Sequence, residues 1–186
     1  MDFKVNSSDL LKAISHIHGV VEIRHTLPIL SNMIITAKDG HLKLCSTNLD
    51  IYCSDQVNAE IVSPGEISVS ASTFHEIIKR LPNGSDLRVT LDEESSGLIL
   101  KCGRSKFNLT TMKTDDFPTI ADSNLDTNFV LSATELIRMI DKTKFAISNE
   151  ETRYYLNGIF FHKSQKNSID ILRAVATDGH RLAQYD

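Results

Sequence analysis

The segment Phe129-Val-Leu-Ser-Ala-Thr-Glu-Leu-Ile-Arg-Met-Ile140 repeats the pattern of Phe3-Lys-Val-Asn-Ser-Ser-Asp-Leu-Leu-Lys-Ala-Ile14. From residue 3 to residue 129 the offset is 126, and the aromatic, acidic, basic and four aliphatic positions stay in register. Self-similarity at a fixed spacing indicates a repeated structural unit. In each copy a short apolar run precedes apolar residues at helical spacing, so both segments predict a strand followed by a helix.

Two other pairs of segments keep nearly the same spacing. Arg24-His-Thr-Leu27 matches Arg153-Tyr-Tyr-Leu156 at an offset of 129, and Leu42-Lys-Leu-Cys-Ser-Thr47 matches Leu172-Arg-Ala-Val-Ala-Thr177 at an offset of 130. Chance seldom keeps offsets this steady. The second copy also has a helix start signal, Ser132-x-x-Glu135, in which each side chain can bond the other residue's backbone N–H.

Apolar runs and turn residues define the remaining elements. One helix is predicted to end at Gly19, and a second to run from Ser72 to Leu81 before the turn Pro82-Asn83-Gly84. Residues 1–112 therefore contain a unit of strand, helix and further strands twice. The further strands are predicted at Ile29–Ala37, Leu42–Cys45, Ile51–Val57, Glu66–Val69, Leu87–Leu91, Leu98–Cys102 and Phe107–Met112.

The polar stretch Thr114–Asn124 has no periodicity and is predicted to be a linker, with a domain boundary near residue 123. The sequence thus predicts a first domain at residues 1–123 and the N-terminal part of a second domain at residues 124–186. Half a domain would leave a sheet edge and a core uncovered. We therefore expect the chain to be an N-terminal piece of a longer protein.

Composition limits the class of protein. The 186 residues are 41% hydrophobic, which is enough for a packed core. No apolar run reaches the roughly 18 residues of a membrane-spanning helix, and no signal-peptide core follows Met1. Cys45, Cys53 and Cys102 are odd in number and widely spaced, which argues against disulfides and favours the cytoplasm. With a net charge of −4, any nucleic-acid binding would need a local basic surface.

Motifs for a cofactor are not found. The sequence contains no P-loop and no GxGxxG motif, so it gives no sign of a nucleotide cofactor. His16 and His18 lie two positions apart in a predicted helix and point to different faces, so they are not expected to share a metal. We predict no cofactor, no metal site and no catalytic residue.

The segment Ala174–Ala183 is predicted to form a hairpin, because strand-like residues flank the turn dipeptide Asp178-Gly179. Three interpretations of the turn remain open: a hydrophilic hairpin tip, a hydrolase using Asp178 and His180, and a binding surface. The polar residues on the turn are Thr177, Asp178, His180 and Arg181.

Cationic side chains of the predicted helices lie opposite the apolar faces, where they could form a phosphate-binding surface. Ordinary solvated helix faces carry the same residue types, and neighbouring carboxylates dilute the charge. Both interpretations remain open. The residues concerned are Lys12, Lys79, Arg80, Arg138, Lys142 and Lys144.

Five motifs occur in order along the chain: Arg24-x-Thr-Leu-Pro-Ile-Leu30, Gly103-Arg-Ser-x-Phe107, Asp116-Phe-Pro118, Arg153-Tyr-Tyr-Leu-Asn-Gly158 and Ala176-Thr-Asp-Gly-His-Arg-Leu-Ala183. Together they resemble the bacterial sliding clamp family, the beta subunit of DNA polymerase III. The resemblance covers the whole chain. It implies an α+β DNA-clamp fold, in which repeated strand-helix-strands units place helices on one face of antiparallel sheets.

The resemblance also implies a function. Members form a ring of two head-to-tail protomers that encircles duplex DNA without reading its sequence and acts as a non-catalytic processivity factor. A pocket binds short peptides of the replicative polymerase, the clamp loader and repair proteins. The family has three similar domains, of which the third is absent from this sequence. A hydrolase using Asp178 and His180, or a scaffold protein with no DNA role, is the alternative.

Three sets of residues acquire roles through the same resemblance. Arg24 and Tyr154 would approach DNA. The helix residues chosen above for their cationic faces are assigned to the same DNA contact, namely Lys12, Lys79, Arg80, Arg138 and Lys142. The peptide pocket would comprise Arg153, Tyr155, Leu156, Thr177, Gly179, His180, Arg181 and Leu182. The protomer interface would comprise Ile78, Arg104, Lys106, Phe107 and Leu109. Glu150 stands where the best-known member has a DNA-contacting glutamine, and its charge would repel phosphate.

Overall fold

The computed structural model describes residues 1–21, 27–92, 97–118 and 130–186. The chain divides into two compact units, residues 1–123 and 124–186, called unit 1 and unit 2 below. Both units combine helices with antiparallel strands, so the predicted α+β class is confirmed.

Unit 1 builds its described residues into two helices, a 3₁₀ turn at Pro28–Ser31 and an antiparallel sheet. In chain order the elements are β1 (Asp2–Asn6), α1 (Ser7–His18), β2 (Asn32–Lys38), β3 (His41–Thr47), β4 (Tyr52–Asn58), β5 (Glu60–Ser63), β6 (Gly65–Ser70), α2 (Ala71–Lys79), β7 (Asp86–Asp92), β8 (Gly97–Cys102) and β9 (Ser105–Met112). The strands are ordered β4-β3-β2-β6-β9-β8-β7-β1-β5.

Both helices of unit 1 begin at polar capping residues and pack on each other over the sheet. The Asn6 side chain accepts the Ser8 N–H at 3.0 Å, and the Ser70 hydroxyl accepts the Thr73 N–H at 3.4 Å. Such caps satisfy backbone donors that have no partner within the helix. Apolar residues of helices and strands then form one core, whose most deeply buried members include Phe3, Leu10, Ile14, Ile17, Ile35, Leu44, Phe74, Ile78 and Leu87.

The structure departs from the predicted elements of unit 1 in several places. Residues Pro28–Ser31 form a 3₁₀ turn rather than the start of a strand, because proline lacks an N–H for a sheet and suits a first helical turn. The helix α2 ends at Lys79, before the predicted Leu81. Strand β5 was not predicted, and Gly65 lies in a strand instead of a turn. A Cβ at Gly65 would lie 2.8 Å from the Met1 Cβ, so this position needs glycine for close packing.

Unit 2 contains one helix over a three-stranded antiparallel sheet in its described part. The elements are α3 (Ala133–Thr143), 3₁₀ turns at Lys144–Ala146 and Glu151–Leu156, β10 (Phe160–Lys166), β11 (Ile169–Thr177) and β12 (Leu182–Tyr185), with the strands in the order β10-β11-β12. Small residues bring the 3₁₀ turn at Lys144–Ala146 close to the sheet, since Ala146, Ala176 and Ala183 form a buried cluster. The predicted start of α3 is confirmed, because Ser132 Oγ accepts the Glu135 N–H at 3.2 Å.

The sequence repeat reappears in the backbone of the turns. The β2–β3 turn has Asp39 at φ 51° and Gly40 at φ 80°, and the β10–β11 turn has Asn167 at 52° and Ser168 at 64°. Two consecutive residues with positive φ are typical of a type I′ hairpin. The second of these turns was not predicted, because serine signals positive φ far less clearly than glycine.

A second, smaller apolar cluster lies in unit 1. Phe117, from the motif Asp116-Phe-Pro118, is 7% exposed and packs with Ile29, Leu30, Ile34 and Cys45. Burial raises the pKa of the Cys45 thiol, which keeps it protonated and unreactive. The first part of the predicted linker is thus held against unit 1, and residues 119–129 lie outside the described residues.

Candidate functional site

The turn between β11 and β12 is a hairpin, as predicted. Ala176 pairs with Ala183 and Thr177 with Leu182, so the turn consists of residues 178–181. Gly179 has a φ of 88°, in the left-handed region where glycine carries no steric penalty.

Hydrogen bonds fix this turn from inside. One oxygen of Asp178, Oδ1, accepts the backbone N–H groups of His180 and Arg181, both at 3.0 Å. Its other oxygen, Oδ2, accepts from Arg181 Nε at 2.8 Å. The Thr177 hydroxyl donates to the Arg181 carbonyl at 2.8 Å and accepts from the Gly179 N–H at 3.1 Å.

These bonds count against the hydrolase interpretation. The two backbone N–H groups, with help from the Arg181 side chain, lower the pKa of Asp178 to about 2. A carboxylate with so low a pKa is a weak proton acceptor near neutral pH. Asp178 also bonds the backbone of His180 and not its ring, so it does not orient that imidazole as a catalytic base.

The same hydrogen-bond frame occurs in the β3–β4 turn of unit 1. Thr47 Oγ1 donates to the Ile51 carbonyl at 2.8 Å and accepts from the Leu49 N–H at 3.1 Å. Asn48 Oδ1 accepts the backbone N–H groups of Asp50 and Ile51 at 3.2 and 2.8 Å. The frame is therefore a property of the repeat. What distinguishes the turn of unit 2 is Gly179, His180 and Arg181 in place of the residues at 49–51.

This pairing of turns predicts opposite effects of two substitutions. Leu49 has a φ of 80°, which costs a non-glycine residue about 1–2 kcal/mol, so Leu49→Gly should stabilise unit 1 by about 0.5 kcal/mol after the added chain entropy of glycine. Gly179→Ala should destabilise unit 2 by about 1 kcal/mol for the converse reason. Urea unfolding of both variants measures the two signs. Equal signs would show that the turns do not share a backbone conformation.

The structure brings Arg153 to the turn. A Cβ at Gly179 would lie 3.1 Å from Arg153 Nη1, so the guanidinium rests close against the glycine. Arg153 Nε also lies 3.1 Å from the Glu150 carboxylate. The charge of Glu150 is therefore partly offset by a residue of the predicted pocket.

Apolar side chains of the predicted pocket are exposed or half-buried. Leu182 is 65% and Tyr155 is 71% exposed, and Leu156 is half-buried. The guanidinium of Arg181 lies 5.8 Å from the ring centroid of Phe145, which is 57% exposed. Phe145 was not predicted as a site residue, because no motif or periodicity marks it. The turn thus combines a polar rim with apolar contacts, as peptide-binding surfaces do.

The cationic helix residues are exposed in the structure. Three of them form ion pairs: Arg80 with Glu76 at 3.4 Å, Arg138 with Glu135 at 3.4 Å and Lys144 with Asp141 at 2.6 Å. Lys12, Lys79 and Lys142 have no carboxylate partner within 4.0 Å among the described residues. Tyr154 is 79% exposed and meets the Tyr155 ring edge-on. Arg24 lies outside the described residues.

The predicted interface residues lie on or near β9, with one exception. Residues 105–110 of β9 pair with β8, and the pairing of β9 with β6 is at Thr111 and Met112. Phe107 and Leu109 are half-buried on this strand, and Arg104 and Lys106 are exposed. Ile78 is 1% exposed, so its side chain lies in the core of unit 1 and not on the exposed surface of β9. Its apolar character reflects the helix spacing of α2.

Family comparison decides the identity of the fold. Residues 1–121 match the N-terminal domain of the DNA polymerase III beta subunit, and residues 130–186 match the central domain. The chain belongs to this family. The DNA polymerase III beta subunit is a non-catalytic sliding clamp, so the resemblance read from the sequence is confirmed.

Comparisons with individual relatives support the same family. The chain is 44% identical to the beta sliding clamp of Caulobacter vibrioides over 183 residues, 98% of this chain and 49% of the relative. It is 40% identical to that of Pseudomonas aeruginosa over 184 residues, 98% of this chain and 48% of the relative. The structure of Caulobacter crescentus pol III beta superposes with a TM-score of 0.93 at 43% identity, covering 99% of this chain and 50% of that one. The chain spans about half the length of the sliding clamps it matches.

A clamp from Bartonella birtlesii bound to griselimycin superposes with a TM-score of 0.92 at 41% identity, covering 99% of this chain and 49% of that one. In the part of the chain that the structure describes, no helix is long and apolar enough to cross a membrane. Within the same residues, no group of three or more His, Cys, Asp or Glu side chains could hold a metal ion.

Proposed function

We propose that this chain supplies the first domain and part of the second domain of a sliding clamp, a cytoplasmic processivity factor that encircles duplex DNA and tethers the replicative polymerase. The observation that carries the proposal is the match of both units, in order, to the N-terminal and central domains of one clamp family. Cys45, Cys53 and Cys102 are free thiols, which fits a reducing cytoplasm.

The DNA surface in this proposal is the cationic side of the helices. Lys12 and Lys79 project from α1 and α2, and Arg138 and Lys142 project from α3. Their exposed charges attract phosphate without reading bases, and the ion pairs of Arg80 with Glu76 and of Arg138 with Glu135 keep the attraction modest. A clamp must slide, so a weak electrostatic grip suits it better than a tight one.

In this proposal, peptides bind at the β11–β12 turn of unit 2. Leu182 and Leu156 supply apolar contact, while Arg153, His180 and Arg181 form a polar rim for short segments of the polymerase, the clamp loader and repair proteins. The hydrogen-bonded frame around Asp178 holds this surface in one conformation before a peptide arrives, which lowers the entropy cost of binding.

In this proposal, the ring of two protomers closes at the edge of β9. Among the residues that the structure describes, positions 105–110 of this strand pair only with β8, which leaves the other side of the strand to pair with a strand of a second protomer. A head-to-tail ring needs a complementary surface on every chain. In the proposal that surface belongs to a third domain, which residues 1–186 do not contain.

The DNA surface is tested by charge reversal. We expect weak binding of duplex DNA at low salt, with the logarithm of the affinity falling linearly against the logarithm of salt concentration. Lys79→Glu should weaken binding by about threefold to tenfold and reduce the salt slope by about one. Lys101→Glu, on the exposed side of β8, makes the same charge change away from the helices and serves as the control. Fluorescence anisotropy measures both, and equal losses would contradict the assignment of the surface.

A further inference from the structure

The helix surface of unit 1 also contains a histidine pair. The rings of His18 in α1 and His75 in α2 stack, with their centroids 4.6 Å apart and their planes at 28°. Both side chains are half-buried, and α1 packs directly on α2. Neutral stacked rings attract each other, whereas two imidazolium ions at this distance repel.

Burial and neighbouring charges lower the pKa of His75 in the free protein. Burial is the largest reason why the pKa of His75 lies below its usual value, and the charge of His18 lowers it further. Lys79 acts in the same direction, and Glu76 opposes it. The ring of His75 therefore stays uncharged at a pH where an exposed histidine begins to take up a proton.

A bound phosphate would reverse this balance. His75 and Lys79 are four residues apart on α2 and share one side of the helix. An anion that approaches Lys79 therefore also approaches the His75 ring, where its charge favours the imidazolium form and offsets the repulsion between the two rings. The free-energy cost of protonating His75 therefore becomes smaller when DNA is present.

We infer that binding of duplex DNA to the helix surface of unit 1 is coupled to protonation of His75, whose ring stacks on His18. The inference rests on the proposed function, because it takes DNA as the ligand of this surface. Binding takes up at most one proton at His75, and by linkage a reaction that takes up a proton becomes more favourable as the pH falls.

The free protein responds in the opposite direction. The folded-state pKa of His75 lies below its value in the unfolded chain, so the unfolded chain binds this proton more tightly. The contribution of this group to stability is fully present above about pH 6.5 and decreases as the pH falls toward the folded-state value. A lower pH therefore destabilises the contact between α1 and α2, whereas it raises the affinity of the protein for DNA.

The experiment measures affinity for a labelled duplex of mixed sequence by fluorescence anisotropy at low salt, between about pH 8 and pH 6. The variants are His18→Gln and His75→Gln, and the control is His41→Gln. His41 is exposed in β3 and its Nδ1 lies 2.8 Å from the Asp39 carbonyl, so its ring is held at the β2–β3 turn and not at the contact of α1 with α2. Wild type and control should gain about fivefold or more in affinity over this range, and the pair variants less than about twofold.

Each outcome decides between the alternatives. An equal gain in wild type and both pair variants would overturn the inference and leave DNA binding intact. No DNA binding by wild type at any pH would overturn the proposed function and the inference with it. If either glutamine variant fails to fold, His75→Phe keeps a stacked ring that cannot titrate and should also lose the gain. An NMR titration in which the His75 ring takes up its proton at the same pH with and without DNA would contradict the inference directly.

Discussion

Replacing Leu10 with alanine is expected to lower the free energy of unfolding of unit 1 by about 2–5 kcal/mol. Leu10 is 0% exposed at the centre of the contact between α1 and the sheet. The substitution removes buried methyl groups and leaves a cavity that the surrounding helices and strands fill only in part. Urea unfolding followed by circular dichroism measures the loss.

Leu136 provides the matched control for this substitution. It occupies the position equivalent to Leu10 in the second copy of the repeat, yet it is 40% exposed on α3. Only Met139 and Thr143 of that helix are buried. Leu136→Ala should therefore cost about 1 kcal/mol or less. Similar losses of unfolding free energy in the two variants would show that α3 is packed as tightly as α1, which would contradict the structure.

Replacing Leu182 with aspartate is expected to weaken peptide binding at the β11–β12 turn by at least about tenfold, because the charge would lose water on contact with an apolar peptide side chain. A fluorescent peptide from the tail of a replicative polymerase is a suitable probe. Arg181→Glu should also weaken binding, by reversing a charge on the polar rim and breaking the ion pair with Asp178.

The equivalent turn of unit 1 again supplies the control. Leu49→Asp introduces the same charge at a side chain that is 59% exposed in a turn with the same hydrogen-bond frame. It should leave peptide affinity unchanged, because residues 49–51 lack the rim of His180 and Arg181. Unchanged affinity in both Leu182→Asp and Arg181→Glu would remove the turn from the peptide site.

Periodicity predicted the elements that carry strong local signals. The helices α1, α2 and α3 and the hairpin at Asp178-Gly179 follow from apolar spacing, caps and a glycine turn. Strand β5 was missed because Glu60–Ser63 owes its structure to pairing with β1, a contact between distant parts of the chain. The turn at Asn167-Ser168 was missed because its positive φ values are imposed by the hairpin rather than by glycine.

Residues of the candidate site were likewise predicted from the sequence only where a motif marks them. Motif residues such as Arg153 and Gly179 were predicted together, and the structure places them in contact. The position of Phe145 beside Arg181 depends on how the chain leaves α3, which no local pattern records. Ile78 illustrates the converse, since a residue assigned by resemblance to a surface proves to be part of the core.

Retention on circular DNA tests the central claim most directly. Residues 1–123 would replace the first domain of the Caulobacter vibrioides clamp, with the junction in the segment between the family matches. We expect the chimera to form a two-protomer ring that stays on nicked circular duplex DNA and leaves when the circle is linearised. A folded, dimeric chimera that leaves circles as fast as linear DNA would contradict the proposal that this chain is part of a sliding clamp.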